Sequence, residues 1–334
     1  MTPTISVLMP VKNTAPFLEE CLDSIIAQTE TDWELLAIDD HSGDDSSGIL
    51  EAYAAADTRI RTYPSDGTGI IEALRTAHNR STGHLITRMD SDDVMSADKL
   101  EVLKDKLCGA GPGHIAVGQV DYFSDSELGE GYSNYAAWLN ALTAEGRNFD
   151  DLYRECVIPS PCWMLYRDDL ERCGGFRPDR YPEDYDLCFR LYANGLICIP
   201  CNDVIHRWRD YPTRTSRTDA HYADNSFLDI KLHYFLDVDY EGARPLVLWG
   251  AGRKGKHIAK QLSAASVQFA WLCNNPKKIG QKIHGQLLQN DDVAFSFAHP
   301  QFIVAVAGDE QQAPIVERLV NAQCSPRQDY FLFC

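Results

Sequence analysis

His84-Leu85-Ile86-Thr87-Arg88-Met89 is a mostly apolar run, and Asp90-Ser91-Asp92-Asp93 follows it directly. The run reads as a strand, which places the acidic turn where the strand ends. Asp90 and Asp92 lie two residues apart there. Their side chains can converge on one hard cation, which takes oxygen ligands and accepts phosphate as a co-ligand. Carboxylates packed this closely repel one another, and a cation or a cation-bound phosphate would relieve that repulsion. The same residues could also form an acidic turn with no ligand.

The segments on either side of this stretch share one rhythm. Ile5-Ser6-Val7-Leu8-Met9-Pro10-Val11 is a continuous apolar run, consistent with a buried parallel strand. Pro16 opens a helix whose apolar residues Phe17, Leu18, Cys21, Leu22, Ile25 and Ile26 form one stripe. Trp33 to Ile38 is the next strand and ends at Asp39-Asp40. A helix over Ser46 to Ala56, a strand over Arg59 to Tyr63 and a helix over Ile70 to His78 lead into the strand before Asp90. Alternation of this kind predicts an α/β fold with a mostly parallel sheet, and ligands of such sheets bind at the carboxyl ends of strands. Pro10, Asp39-Asp40 and Asp90-Asp92 all fall at such ends.

After Asn134 the pattern loosens, with Gly, aromatic and acidic residues interleaved. Trp138, Tyr153 and Trp163 lie in this region and could stack on sugar rings or fill a core. A helix returns at Asp184 to Ala193, and another is expected from Tyr222 to Leu236. The polar stretch Asp237 to Pro245 reads as a linker, dividing the chain into domains 1-240 and 244-334. Beyond it come a strand (Pro245 to Trp249), a glycine turn (Gly250-Ala251-Gly252-Arg253-Lys254-Gly255) and a helix (Lys256 to Ala264). Strands at Val267 to Leu272 and Phe302 to Val306, a helix at Ala313 to Asn321 and a final run Tyr330 to Phe333 complete a small Rossmann-like unit.

Composition narrows the function. The chain has 334 residues, a net charge of -18 and no basic block, which argues against a nucleic-acid partner. No apolar stretch approaches the length of a membrane span, and the first residues lack a basic leader, so the expected location is the cytoplasm. Eleven cysteines scattered through apolar segments fit reduced, buried thiols. Cys198 and Cys201 form a CxxC in a strand-like run with no second pair for zinc, and are read as core.

The order of motifs in the first 240 residues resembles the family 2 inverting glycosyltransferases, which have the GT-A nucleotide-diphospho-sugar transferase fold. The matching pieces are Ser6 to Asn13, Ser24 to Thr29, Asp39-Asp40-His41-Ser42-Gly43-Asp44 and Arg88-Met89-Asp90-Ser91-Asp92-Asp93, followed by Gly174-Gly175-Phe176 and Pro182-Glu183-Asp184-Tyr185-Asp186-Leu187. The resemblance implies that Pro10, Val11, Asn13, Asp40 and Asp90 line the nucleotide, with Asp40 accepting from a uracil-type edge. It implies that Asp92 binds Mn²⁺ or Mg²⁺ with Asp90 beside it, and that Asp184 is the general base. Asp184 could equally cap its helix, since it precedes a helical run. His206 falls where relatives often place a late His near the diphosphate, and is a candidate third metal ligand. Arg209, Arg214 and Arg217 are candidates for clamping phosphate, or form a solvated basic loop. Arg75 stands where relatives commonly carry Asn, and either reaches phosphate or faces solvent.

The last 90 or so residues resemble the nucleotide-sugar-binding domain of bacterial sugar O-acyltransferases, and also CoA-binding Rossmann units. Gly250, Gly252 and Gly255 would then form a second nucleotide site. The acidic residue that NAD binding expects after the next strand is missing, since the chain reads Trp271-Leu272-Cys273-Asn274-Asn275. A scaffold that kept the turn for tight packing is the other reading. The leading expectation is a metal-dependent glycosyltransferase acting on a nucleotide-sugar donor, a UDP-sugar first among them, and a glycan or lipid-linked acceptor. An NAD-linked sugar-nucleotide enzyme and a non-catalytic nucleotide-sugar-binding protein are the alternatives. Peripheral membrane contact and homo-oligomerisation remain open.

Overall fold

The computed structural model describes residues 4–124, 128–214, 217 and 227–334. They form two compact units. The first comprises Met1–Phe149 and Cys156–Arg214, the second Asp150–Glu155 and Thr215–Cys334. Residues 222–226 of the helix expected over Tyr222 to Leu236 lie outside the described residues. The described part is an α-helix over Leu228–Tyr234 and one π-turn over Phe235–Asp239.

The first unit begins as its apolar runs dictate. Strands β1 (Ile5–Val11), β2 (Trp33–Asp39), β3 (Ile60–Pro64) and β4 (Leu85–Arg88) pair in parallel. Helices α1 (Ala15–Ile26), α2 (Ser46–Ala56) and α3 (Ile70–Arg80) connect them. The α1 stripe is buried at Leu18, Cys21, Leu22 and Ile25, in one core with Ile5, Val7, Met9 and Val11 of β1. Each side chain of that kind contributes about 1.5–3 kcal/mol on leaving water.

Beyond β4 the sheet departs from the expected parallel pattern. β5 (Val94–Met95), α4 (Lys99–Ala110) and β6 (His114–Phe123) follow the acidic turn. Then come α5 (Glu130–Glu145), β7 (Trp163–Tyr166), α6 (Arg167–Arg172), α7 (Glu183–Ala193) and β8 (Ile197–Arg209). The strand order is β3-β2-β1-β4-β7-β6-β8-β5. β7 is antiparallel to both β4 and β6, and β5 is antiparallel to β8, so the sheet is mixed. The register of β6 against β8 slips between Val117 and Val120, a local irregularity of the kind that bends a strand.

The region read as loosening after Asn134 begins inside a regular 16-residue helix, α5. Its buried stripe is Ala136, Leu139 and Thr143, which hydropathy marks weakly, and its aromatics are only partly buried. Tyr132 meets Tyr122, and Tyr135 meets both Trp138 and Trp208. Cys198 and Cys201 both lie in β8 and are buried, and all 11 cysteines are free. Among the described residues no helix is long and apolar enough to cross a membrane.

The second unit holds a six-stranded sheet. Its strands are β9 (Leu246–Trp249), β10 (Phe269–Cys273), β11 (Lys282–Ile283), β12 (Gln286–Asn290), β13 (Gln301–Val304) and β14 (Tyr330–Leu332). The order is β11-β12-β10-β9-β13-β14, parallel throughout except for β11. The unit begins earlier than the polar stretch 238–244 and takes in residues 150–155 as well. Aromatic packing explains this. Tyr153 is buried, stacks on Phe333 and meets Phe235 and Phe331 edge-on, and its hydroxyl donates to Asp239 Oδ2. The ammonium of Lys231 donates to Arg154 O, and Arg327 pairs with Asp150.

Tyr153→Ala is therefore expected to destabilise the protein by about 3–5 kcal/mol, the usual cost of removing a buried aromatic ring. Tyr153→Phe, which loses only the hydrogen bond, should cost about 1 kcal/mol. Urea unfolding of the full chain measures both. Equal costs for the two variants would mean that the ring does not anchor the segment.

Candidate active site

The acidic turn is held from three directions. Within it, Ser91 is buried and its hydroxyl accepts from Thr14 Oγ1 at 3.0 Å. On one side stands Arg88, the last residue of β4 and itself buried. Its Nε donates to Asp90 Oδ1 at 3.0 Å and its Nη1 donates to Glu183 Oε1 at 2.8 Å. On the other side Asp93 is completely buried. Its Oδ1 accepts from the Arg209 backbone N–H at 2.7 Å, and its Oδ2 lies 3.0 Å from His206 Nε2.

Both ring nitrogens of His206 are engaged by side chains other than Asp90 and Asp92. Its Nδ1 lies 3.3 Å from the ammonium of buried Lys99, and its Nε2 faces Asp93. Burial, and then the Lys99 charge, hold its pKa well below the usual histidine range. A neutral ring protonated on Nε2 accepts from Lys99 and donates to Asp93, which uses both ring nitrogens. Pairing of β5 with β8 puts Met95 opposite His206 and Val94 opposite Arg207, and this draws the ring behind the turn.

The arginines divide. Arg209 is pinned, its Nε donating to Asp92 O at 2.8 Å and its Nη2 to Glu20 at 2.5 Å, with its guanidinium over Phe17 and Phe123. It supports the turn from the end of β8. Arg214 stands among Asp93, Asp92 and Asp90, whose charges raise its pKa against the cost of its burial. Arg217 is exposed and falls in the second unit. Arg75 neither reaches out for phosphate nor faces solvent alone. It ties α3 to the segment between α6 and α7 through Phe176 O, Arg177 O and Asp179.

At the strand ends before the turn, Pro10 and Val11 close β1. Asn13 has φ +54 and accepts from Gly43 N at 2.7 Å through its side chain. Asp40 is buried, with one oxygen 2.9 Å from Lys12 Nζ and the other accepting from Gly69 N at 2.9 Å.

Asp184 is the half-buried carboxylate of a cleft lined by Arg88, Ser160, Trp163, Phe176 and Glu183. Its Oδ2 accepts from Ser160 Oγ at 2.7 Å and its Oδ1 accepts from Tyr185 N at 2.7 Å. The residue at the N-cap of α7 is Pro182, so Asp184 sits in the first turn and is not the cap. Asp186 is buried in an ion pair with Arg190 at 2.7 Å and faces away from any such role. Glu183 is buried behind it. Burial raises its carboxyl pKa and the Asp184 charge adds to this, while Arg88 offsets it. Trp163 is nearly fully buried and Trp138 packs on Tyr135, as core filling requires.

Arg88, Ser160 and Tyr211 were not singled out by sequence. Arg88 left a signal, since a charge inside a buried strand needs a partner. Ser160 and Tyr211, whose hydroxyl donates to Asp92 Oδ2 at 2.8 Å, left none.

The donor set fits a divalent cation bound in the manner of Mg²⁺, by one or two carboxylates with phosphate and water completing the shell. Burial, and then the Asp93 charge, push Asp92 up to about 6. This is the repulsion a cation would relieve. Among the described residues no three His, Cys, Asp or Glu side chains converge as a complete metal cage.

In the second unit the glycine turn has a packing cause. Gly250 has φ +122, and a side chain there would lie 2.7 Å from Ala305 O. A side chain at Gly255 would run into the Gly250 carbonyl oxygen, whereas Gly252 is open. Trp271 Nε1 donates to Gly250 O at 2.8 Å and Lys278 Nζ to Ala251 O at 2.7 Å.

Comparison with known proteins places these features. The sequence pattern of the family described as glycosyl transferase family 2 matches residues 6–174. The chain is 35% identical to the uncharacterized glycosyltransferase EpsJ of Bacillus subtilis, over 99% of this chain and 95% of EpsJ. It is also 35% identical to the glycosyltransferase GlyA of Streptococcus pneumoniae over 61% of this chain, a match that spans only 30% of GlyA. The structure of S. aureus TarS 1-349 in complex with UDP-GlcNAc superposes with a TM-score of 0.57 at 15% identity, covering 79% of this chain and 72% of that one.

The raised Asp92 pKa gives a signed expectation. The folded state keeps a proton on Asp92 that the unfolded chain, with an ordinary aspartate near 3.9, has already released. The stability tied to this group is full below about pH 4 and is lost as pH rises through about 6. Asp92→Asn should flatten that part of the profile. Mn²⁺ should raise the thermal midpoint at about pH 7.5 and much less at about pH 5, where the carboxyl is protonated. Equal Mn²⁺ shifts at the two pH values, read by differential scanning fluorimetry, would contradict the assignment.

Proposed function

The chain belongs to glycosyl transferase family 2 and is a glycosyltransferase, and on that premise we propose that it moves a sugar from a UDP-sugar to a hydroxyl of a glycan or lipid-linked acceptor in one metal-assisted, inverting displacement. The observation that carries the proposal is Asp184. It is an accessible carboxylate in the cleft, oriented at both oxygens by Ser160 and Tyr185 N, and linked through Glu183 and Arg88 to Asp90.

The chemistry asks for this separation of roles. The acceptor oxygen attacks the anomeric carbon while the bond from that carbon to the diphosphate oxygen breaks, and the leaving diphosphate keeps the electron pair. A hydroxyl is a weak nucleophile, so Asp184 takes its proton as the new bond forms. A bound Mn²⁺ or Mg²⁺ supplies charge stabilisation and orientation at the diphosphate. Asp92 and Asp90 would hold it, and Arg214 adds a positive charge beside them. A single displacement assisted by one base gives inversion.

The nucleotide belongs at the ends of β1 and β2. Pro10, Val11 and Asn13 would border the base, and Asp40 has second lone pairs on both oxygens with which to accept from an imide N–H. UDP is favoured because the TarS complex, of related fold, carries UDP-GlcNAc. In the second unit, the strand order β12-β10-β9-β13-β14 is that of a Rossmann-like sheet. We read this unit as a scaffold. Gly250 and Gly255 are explained by packing, and Cys273-Asn274-Asn275 offers no carboxylate for an NAD ribose.

Asp184→Asn keeps the shape of the side chain. It should bind UDP and Mn²⁺ normally in calorimetry while turnover falls by about 10²–10⁴. A panel of UDP-, GDP- and dTDP-sugars identifies the donor, and proton NMR of the product reads its anomeric configuration. Near-normal turnover in this variant, or a retained configuration, would sink the proposal. Asp92→Ala should abolish the Mn²⁺-dependent part of UDP binding, and unchanged UDP affinity in excess EDTA would remove the metal from the account.

A further inference from the structure

Arg88 is the one charged side chain of β4 and is 4% exposed. Its guanidinium is divided between two elements. Nε and Nη2 face the same oxygen of Asp90, at 3.0 and 2.9 Å, and Nη1 donates to Glu183 at 2.8 Å. Glu183 is 8% exposed and stands next to Asp184 in the first turn of α7. One planar group therefore spans the acidic turn and the helix end that carries the general base. Glu183 lies out of bulk water and Asp90 is only partly exposed, so removing Arg88 would leave the buried Glu183 charge without its partner.

We propose that Arg88 is a positioning residue for sugar transfer, a strut whose fork sets the separation between Asp90 and Asp184. The inference rests on the site reading given above, in which Asp90 belongs to the leaving-group side and Asp184 to the acceptor side. In-line displacement needs these two groups on opposite sides of the anomeric carbon, and a misplacement of about 1 Å can cost about 10²-fold in rate. Lysine cannot replace the strut. It keeps the charge but is a single point donor on a flexible stem, whereas arginine offers donors on two edges of a rigid plane.

The test uses the full chain and a UDP-sugar that the wild type hydrolyses, UDP-N-acetylglucosamine first, with release of UDP as the readout and MnCl₂ titrated. Arg88→Lys should lower turnover at saturating Mn²⁺ by about 10–100-fold and raise the half-saturating Mn²⁺ by a similar factor, as supporting residues around a metal do. Glu183→Ala severs only the helix side. It should lower turnover comparably and leave the half-saturating Mn²⁺ within about twofold. The double variant should be no slower than Arg88→Lys, because both changes break one connection. A merely structural role would not split the Mn²⁺ dependence in this way.

Wild-type turnover in Arg88→Lys, or multiplicative effects in the double variant, would overturn the strut. If circular dichroism shows Arg88→Lys unfolded, Glu183→Ala alone decides: lowered turnover with an unshifted Mn²⁺ midpoint supports the strut, and unchanged turnover overturns it. Loss of all Mn²⁺ dependence in the wild type, or full turnover in Asp184→Asn, would bring down the underlying site reading and the strut with it. Normal Arg88→Lys behaviour with those two controls intact brings down the strut alone.

Discussion

Asp90, Asp92 and Asp93 bring three negative charges to one turn at the end of β4, and the site is organised by how that charge is met. Coulomb repulsion at such separations grows as the dielectric falls, so each carboxylate needs its own answer. Asp90 is answered by Arg88, and Asp93 by a backbone N–H and a neutral histidine. Asp92 has a tyrosine hydroxyl and the charge of Arg214, and its pKa still stands at about 6. Asp93 is pushed up further, to about 7, by complete burial, whereas Asp92 stays partly exposed and so is the one a cation can reach.

The same interactions fix the neighbouring elements. Asp93 fastens the end of β8 to the turn, and the two-residue strand β5 completes the attachment. Arg88 fastens α7 from the other side. The antiparallel insertion of β7 between β4 and β6 brings the 156–163 segment alongside, and with it Ser160 against Asp184. A continuously parallel sheet would not run a returning strand beside β4. The departure from the expected pattern is thus what sets Ser160 against Asp184 in the cleft.

The second unit follows a different logic. Its sheet is nearly all parallel, and its glycine turn is shaped by the approach of backbone to backbone at Gly250, Gly255 and Ala305. Its core recruits Tyr153 from residues 150–155, so the chain enters this unit, leaves it and returns. The polar stretch 238–244 looks like a boundary because it is hydrophilic, and Phe235 just before it packs with Tyr153 and Phe331 of the second unit.

The sequence by itself determined the elements whose cause is local. The apolar runs of β1, β2 and β4, the stripe of α1 and the acidic turn at a strand end follow from periodicity and from the needs of buried strands, and the motif order pointed to the family. The strand–glycine–helix start of the second unit was equally legible. What only the tertiary structure decided is which polar groups meet. His206 sits 113 residues from Asp93, and Arg88 sits 95 from Glu183. No local pattern encodes either pairing. His206 looked like a ligand because its position in the chain fits one, yet strand pairing turned it toward Lys99 and Asp93. Arg209 was likewise drawn into supporting the turn. The long helix α5 was hidden because its buried stripe is Ala136, Leu139 and Thr143, of which Leu139 alone is strongly apolar. Hydrophobic periodicity reports which face of an element is buried, while the partner of a buried charge is settled by topology, because only the folded sheet brings the two ends of the chain segment together.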